Sequence, residues 1–173
     1  EKVTLHSCVG SDFKGSDYDH WMTKLGVGQQ FFVVPDAHTP TAFMFTDETG
    51  DQMTFFEWGA SRAFRTSEAP ALPLVHMATA DPEFNCRVAD KGEFVSFDPG
   101  QDVFWYNKEQ LESIISNADI LFANQHEVRQ MCELHPSCTR NSEYILARGL
   151  PGDRKDQLCD RALTQRASQS GSA

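Results

Sequence analysis

The feature that most constrains the fold is a regular alternation of strand-like and helix-like segments between residues 74 and 134. Three short apolar runs, Leu74–Ala78, Phe94–Phe97 and Ile120–Ala123, are separated by segments that carry apolar residues at helical spacing. Helices are predicted over residues 82–91, 108–117 and 125–134. Short strands joined by helices of this length are typical of right-handed βαβ units, so the sequence predicts a parallel sheet.

Polar residues follow two of the predicted strands directly. Asn124 and Glu127 come after Ile120–Ala123, and Asp98 comes after Phe94–Phe97. Ligands bind at the carboxyl ends of strands in open α/β sheets, and an amide and a carboxylate three residues apart suit a hydrated Mg²⁺ or a phosphate-bound water. The same spacing also fits a helix N-terminus, with Asn124 as the N-cap and Glu127 as the capping-box acid. Asp98 equally fits a loop cap before Pro-Gly.

The N-terminal part begins with a predicted strand over 3–9 and a helix over 16–25 that Gly26 ends. Tyr18 and Trp21 fall on one face of this helix, which predicts that both are core residues.

Residues 31–60 contain three β-prone runs, Phe31–Val34, Ala42–Thr46 and Gln52–Phe56. The last two are separated by a five-residue loop in which Gly50 is placed for positive φ, which predicts a hairpin. Two or three antiparallel strands cannot bury both faces alone, so we expect a small flap whose apolar outer face packs on another surface.

Charge and cysteine content narrow the classes of partner and compartment. A net charge of −10 and a pI near 4.9 argue against nucleic acid or an anionic membrane as a partner. The five cysteines have no framework spacing and are odd in number, which favours reduced thiols in a cytoplasmic protein.

The composition of the chain changes near residue 135. All 13 phenylalanines lie between Phe13 and Phe122, and the acidic excess also ends before residue 136. We therefore predict an α/β core over 1–135, with a β lid at about 31–60, and a divergent, poorly structured tail over 136–173.

Four motifs occur in one order along the chain: Val9–Gly15, the flap from Thr39 to Ala60, Asp98-Pro99-Gly100, and Asn124-x-x-Glu127. In this order they resemble the ribokinase-like sugar and nucleoside kinases of the PfkB family over roughly residues 1–135. The resemblance implies a ribokinase-like, mostly parallel sheet flanked by helices, with a small β lid.

The resemblance also implies a reaction, which is phosphoryl transfer from ATP to a primary hydroxyl of a sugar or nucleoside, with Mg²⁺. In such kinases the residues that match Asn124 and Glu127 help arrange Mg²⁺ and the phosphates, so Glu127 is the candidate metal residue and Asp98 is a candidate at the site mouth. The lid shields the reaction from water and often contributes to dimerisation. The candidate lid residues are Thr39, Thr41, Phe43, Phe45 and Phe55.

The sequence departs from the family pattern at two places. The residues from Glu1 onward do not include the strand and glycine-rich, sugar-binding segment with which family members begin, nor the Gly-Ala-Gly-Asp motif that supplies the catalytic base in the family. We therefore expect the central portion of the family fold and assign no catalytic residue. The alternatives are an inactive kinase-like binding or self-association module, or a truncated fragment.

Overall fold

The computed structural model describes residues 2–134 and 144–147. The chain divides into two compact units, Glu1–Ser67 and Glu68–Ala173. The strands are β1 (Thr4–Gly10), β2 (Gly28–Val34), β3 (Thr41–Thr46), β4 (Gln52–Glu57), β5 (Val75–Met77), β6 (Val95–Phe97), β7 (Ile120–Ala123) and β8 (Tyr144–Ala147). The α-helices are α1 (Asp17–Leu25), α2 (Pro82–Lys91), α3 (Lys108–Asn117) and α4 (Gln125–Leu134), and 3-10 helices span Gly59–Arg65 and Gly100–Trp105.

The first unit is built on a βαβ element in which β1 and β2 pair in parallel and α1 joins them. Ser16 caps α1 by accepting a hydrogen bond from the Asp19 N–H, and Gly26 ends the helix at a φ of 72°. Val9, Phe13 and Met22 form the buried cluster of this element. The sequence groups the run Phe31–Val34 with the flap, whereas the structure pairs it with β1, because the chain reverses at Gly26 and returns alongside that strand.

The prediction that Tyr18 and Trp21 are core residues is wrong, since they are 62% and 63% exposed. The nine-residue helix turns Met22 and Asp19 inward instead. The Asp19 carboxylate accepts a hydrogen bond from the Gly15 N–H at 2.9 Å and lies 3.2 Å from Lys14 Nζ. The buried face of α1 thus combines the apolar Met22 with the polar contacts of Asp19, which apolar periodicity alone does not register.

The predicted hairpin is confirmed as the antiparallel pair β3–β4, which is a two-stranded sheet of its own. Its loop turns on Asp47, whose Oδ1 accepts hydrogen bonds from the N–H groups of Thr49 and Asp51, and Gly50 adopts a φ of 90°. An Asp that bonds its own turn and a glycine at positive φ are the residues that such a loop requires.

The second unit carries the predicted alternation of strands and helices. Its sheet has the order β5-β6-β7-β8, with β5, β6 and β7 parallel and β8 antiparallel to β7. Asp81 caps α2 with Pro82 in the first turn, as the sequence predicts. The core of this unit includes Val95, Phe97 and Ile114, which are at most 1% exposed.

The predicted tail over 136–173 lies almost entirely outside the described residues. Within it, Tyr144–Ala147 forms β8, whose backbone pairs with β7 from Ile120 to Ala123.

Candidate functional site

Asn124 and Glu127 meet at the N-terminus of α4, directly after β7. Asn124 Oδ1 accepts hydrogen bonds from the N–H groups of His126 and Glu127, at 2.8 and 3.0 Å. In return, Glu127 Oε2 accepts the Asn124 N–H at 2.8 Å and Glu127 Oε1 accepts Asn124 Nδ2 at 2.7 Å. This is the reciprocal capping arrangement that the sequence allows, with one additional bond between the two side chains.

The two side chains differ in exposure. Glu127 is only 8% exposed, whereas Asn124 is exposed. Each Glu127 oxygen accepts one hydrogen bond from Asn124 and therefore keeps acceptor capacity for another partner. The arrangement thus presents a negative charge, held in one orientation, at the positive end of a helix dipole.

Asp98 lies at the same edge of the sheet as Asn124. Strands β6 and β7 are parallel neighbours, with Phe97 opposite Leu121, so Asp98 and Asn124 both follow the carboxyl ends of adjacent strands. Asp98 Oδ1 accepts the Gly100 N–H at 3.0 Å, and Gly100 adopts a φ of 53°. Within the described residues no hydrogen bond joins Asp98 to Asn124 or Glu127, so the loop-capping role is the one that the geometry displays.

A buried polar pair that the sequence did not predict lies at the same carboxyl edge of the sheet, after β5. Asn85 Nδ2 donates hydrogen bonds to the Ala78 carbonyl, which follows β5, and to Tyr106 Oη at 2.7 Å. Asn85 and Tyr106 are 3% and 2% exposed, and burial raises the pKa of Tyr106. The available signal was an Asn within the apolar face of α2, between Phe84 and Val88. A buried amide requires a hydrogen-bonding partner, but the position of Asn85 in the sequence does not identify that partner.

The candidate lid residues belong to the other unit. Phe43, Phe45 and Phe55 lie on one face of the hairpin, because Phe43 is paired with Phe55 and Phe45 is two residues further along β3. They are 54% to 61% exposed, and the rings of Phe45 and Phe55 meet edge to face at 5.9 Å. Thr41 Oγ1 donates to the Thr39 carbonyl at 3.1 Å, so both threonines lie at the base of the hairpin.

The side chains at the N-terminus of α4 suit Mg²⁺ better than a metal ion that takes all of its ligands from the protein. Mg²⁺ keeps several waters and takes one or two carboxylates together with substrate phosphates. The fixed Glu127 carboxylate supplies one such group, and in the described part of the chain each of its oxygens accepts one hydrogen bond from Asn124. Among the residues that the structure describes, no three His, Cys, Asp or Glu side chains cluster as a metal site. Glu127 is accordingly the residue in this set that could hold Mg²⁺.

The model of the pfkB family of carbohydrate kinases matches residues 1–147 of the sequence. The protein belongs to the pfkB family. The matched residues include β8 and the capping pair Asn124–Glu127. The family match therefore runs past residue 135, where the composition changes.

Two archaeal nucleoside kinases resemble this pfkB family member over most of its length. The nucleoside kinase of Methanothermobacter thermautotrophicus is 42% identical over 141 residues, which are 76% of this chain and 46% of the relative. That of Methanocaldococcus jannaschii is 41% identical over 136 residues, 75% of this chain and 45% of the relative. The chain thus spans about half the length of the curated relatives that it matches.

Solved structures support the same fold. The crystal structure of the Methanocaldococcus jannaschii nucleoside kinase, described as an archaeal member of the ribokinase family, matches with a TM-score of 0.69 and 40% identity, over 77% of this chain and 46% of that one. The nucleoside kinase of Burkholderia thailandensis in complex with inosine matches with a TM-score of 0.68 at 22% identity, over 77% and 46% of the two chains, and shows the fold alone. The pfkB family member is therefore an α/β protein of the ribokinase fold.

No helix in residues 2–134 and 144–147 is both long enough and apolar enough to cross a membrane.

Proposed function

We propose that this pfkB family member takes part in ATP-dependent phosphoryl transfer to the primary hydroxyl of a nucleoside. The observation that carries the proposal is the identity of 42% and 41%, over three quarters of the chain, with two nucleoside kinases. A sugar is the second acceptor class, since the family model is named for carbohydrate kinases.

In this proposal Asn124 and Glu127 position Mg²⁺ and the nucleotide phosphates. Phosphoryl transfer depends on positioning and on electrostatic stabilisation, and a bound Mg²⁺ supplies neutralising charge at the phosphate oxygens. Asn124 holds Glu127 at both carboxylate oxygens, so the carboxylate is oriented before any ligand arrives. Asp98 belongs to the mouth of the same site in this proposal, where it shapes the loop through Gly100.

The hairpin is the proposed lid over the acceptor. Phe43, Phe45 and Phe55 give it an apolar face, which would exclude water from the reacting groups, and Thr39 and Thr41 fix its base. The cytoplasm is the proposed location, which the free thiols of Cys8 and Cys86 support, as does the need for ATP.

The test is coupled release of ADP with ATP, Mg²⁺ and separate panels of nucleosides and sugars. We expect turnover with nucleosides that the Glu127→Gln variant loses by a large factor, because Gln keeps the shape but not the charge that would hold Mg²⁺. Turnover with sugars but not with nucleosides would make a sugar, rather than a nucleoside, the acceptor. No turnover above the Glu127→Gln control with either panel would reject the kinase proposal for this chain.

A specific observation favours a second candidate function, which is self-association through the lid without turnover. The hairpin exposes Phe43, Phe45, Met53 and Phe55 on one face, where Met53 is paired with Phe45, and contiguous exposed apolar surface marks interaction sites. Self-association is also compatible with catalysis. The presence or absence of turnover, and not the assembly state, therefore distinguishes the kinase proposal from self-association without turnover.

Sedimentation velocity tests the association directly. Phe55→Lys should convert a homodimer to a monomer, because a charge would be buried in the apolar contact. Phe104→Lys is the matched control, since Phe104 is 58% exposed and Phe55 is 57% exposed, and Phe104 lies outside the hairpin. A monomer at every concentration of the unmodified protein would reject the dimer.

A further inference from the structure

Asp12 and Thr39 join the end of β1 to the base of the hairpin across 27 residues of sequence. Asp12 Oδ1 accepts hydrogen bonds from the Thr39 N–H at 2.8 Å and from Thr39 Oγ1 at 2.7 Å. Thr39 Oγ1 in turn accepts the Gly10 N–H at 3.0 Å. The Thr39 hydroxyl therefore donates to Asp12 and accepts from Gly10, which lie two residues apart at the end of β1.

The backbone around this junction is packed closely. A Cβ added to Gly10 would lie 2.1 Å from the Ala37 carbonyl oxygen, and one added to Gly59 would lie 2.3 Å from the His38 carbonyl oxygen. Two further backbone bonds, from the Ser11 N–H to Ala37 and from the Ala60 N–H to His38, hold the same segment. The end of β1 and the segment that leaves the hairpin are thus both bound to residues 37–39, which lead into the hairpin.

We propose that Asp12 and Thr39 form a latch that sets the angle at which the β3–β4 hairpin leaves the β1–β2 pair. The two residues are then positioning residues for the lid, and only that catalytic consequence rests on the proposed kinase function. Inside the hairpin, the ladder of β3 and β4 is complete and needs no latch. What the latch supplies is the orientation of that ladder relative to the rest of the first unit.

The latch is charged at neutral pH. Hydrogen bonds from the Thr39 hydroxyl and then from its N–H lower the pKa of Asp12, and His38 Nδ1 lies 3.5 Å from Asp12 Oδ2. Hydrogen bonds to a carboxylate favour its ionised form, so the latch and the charge support each other. Desolvation acts in the opposite direction but is a smaller cause than the two hydrogen bonds from Thr39. The hydrogen bond from His38 also lowers the pKa of Asp12.

Nuclear magnetic resonance on the full 173-residue chain tests the latch without substrate. Residual dipolar couplings of the β3 and β4 amides report the orientation of the hairpin relative to α1, and amide exchange at Gly10 and Thr39 reports opening of the junction. Thr39→Val removes the hydroxyl at nearly constant shape. Thr39→Ser restores the hydroxyl, and Thr46→Val makes the same change at the far end of β3, where the Thr46 hydroxyl accepts only a 3.4 Å contact from Gln52.

In Thr39→Val we expect the hairpin couplings to be averaged towards zero while the α1 couplings stay unchanged. Exchange at Gly10 should speed up by roughly tenfold or more, because its N–H loses its partner. Thr39→Ser and Thr46→Val should both resemble the unmodified protein. Unchanged hairpin couplings in Thr39→Val, or equal changes in Thr46→Val, would overturn the latch.

The outcome separates the latch from the kinase proposal. If the couplings change as expected and the chain shows no turnover, the latch stands and the kinase proposal fails. If turnover is present, Thr39→Val should raise KM for the nucleoside more than it lowers kcat, with recovery in Thr39→Ser. A fall in kcat at constant KM would overturn the positioning role.

Discussion

Replacing Glu127 with Ala tests the capping geometry that underlies the candidate site. The change removes both acceptors that Asn124 uses, at 2.8 and 2.7 Å. The exposed Asn124 side chain can turn to water, so the loss comes mainly from the Asn124 N–H and from the charge at the helix terminus. A lost bond to a charged acceptor and a lost negative charge at the helix N-terminus together cost about 2 kcal/mol.

The assay is urea unfolding followed by far-ultraviolet circular dichroism, with thermal melting as a second measure. For a protein of this size about 2 kcal/mol corresponds to a fall in Tm of about 4–8 °C. Gln110→Ala is the matched control, because Gln110 closes the neutral capping box of α3 with one bond to the Asn107 N–H. That loss should cost about half as much. Equal stability of Glu127→Ala and the unmodified protein would refute the capping argument.

Three further changes test the packing around the site and the lid. Tyr106→Phe should destabilise the protein by about 1–2 kcal/mol in urea unfolding, because the buried Asn85 amide loses one of its two acceptors; an unchanged midpoint would contradict the buried pair. Gly10→Ala should destabilise by about 1–3 kcal/mol, since its Cβ would lie 2.1 Å from the Ala37 oxygen, whereas Gly28→Ala should cost less because its nearest neighbour is the movable Thr4 Oγ1; equal costs would refute the close approach. Asp102→Asn should stabilise the protein at neutral pH, because burial raises the pKa of Asp102 and ionisation of the folded protein therefore costs stability. The gain in the free energy of unfolding should disappear as the pH falls below the ordinary pKa of an aspartate, and a gain that persists in acid would contradict this cause.

Local patterns were sufficient where the structure is local. The strand and helix alternation after Leu74, the Asp81-Pro82 helix start and the Gly50 turn follow from periodicity and from residue types with fixed conformational preferences. The pairing of Asn124 with Glu127 also follows, because a capping box closes over three residues.

Contacts between distant residues could not be obtained this way. Asp12 meets Thr39 only because β2 returns alongside β1. Asn85 of α2 meets Tyr106, which follows the 3-10 helix Gly100–Trp105, across 21 residues of sequence. For these two pairs the partner is set by tertiary structure, which the spacing of a single sequence does not encode. The buried face of α1 was missed for a different reason, because the contacts of Asp19 with Gly15 and Lys14 are local but polar, and apolar periodicity does not register them.

We propose above all that the capped Glu127 carboxylate, at the carboxyl edge of the β5–β8 sheet, holds the Mg²⁺ of a magnesium nucleotide. A titration with Mg²⁺ and ADP, followed by amide chemical shifts, tests it most directly. We expect shifts that require both Mg²⁺ and ADP, that concentrate from Asn124 to Val128 and that are absent in Glu127→Gln. Shifts elsewhere only, or the same shifts in Glu127→Gln, would contradict it.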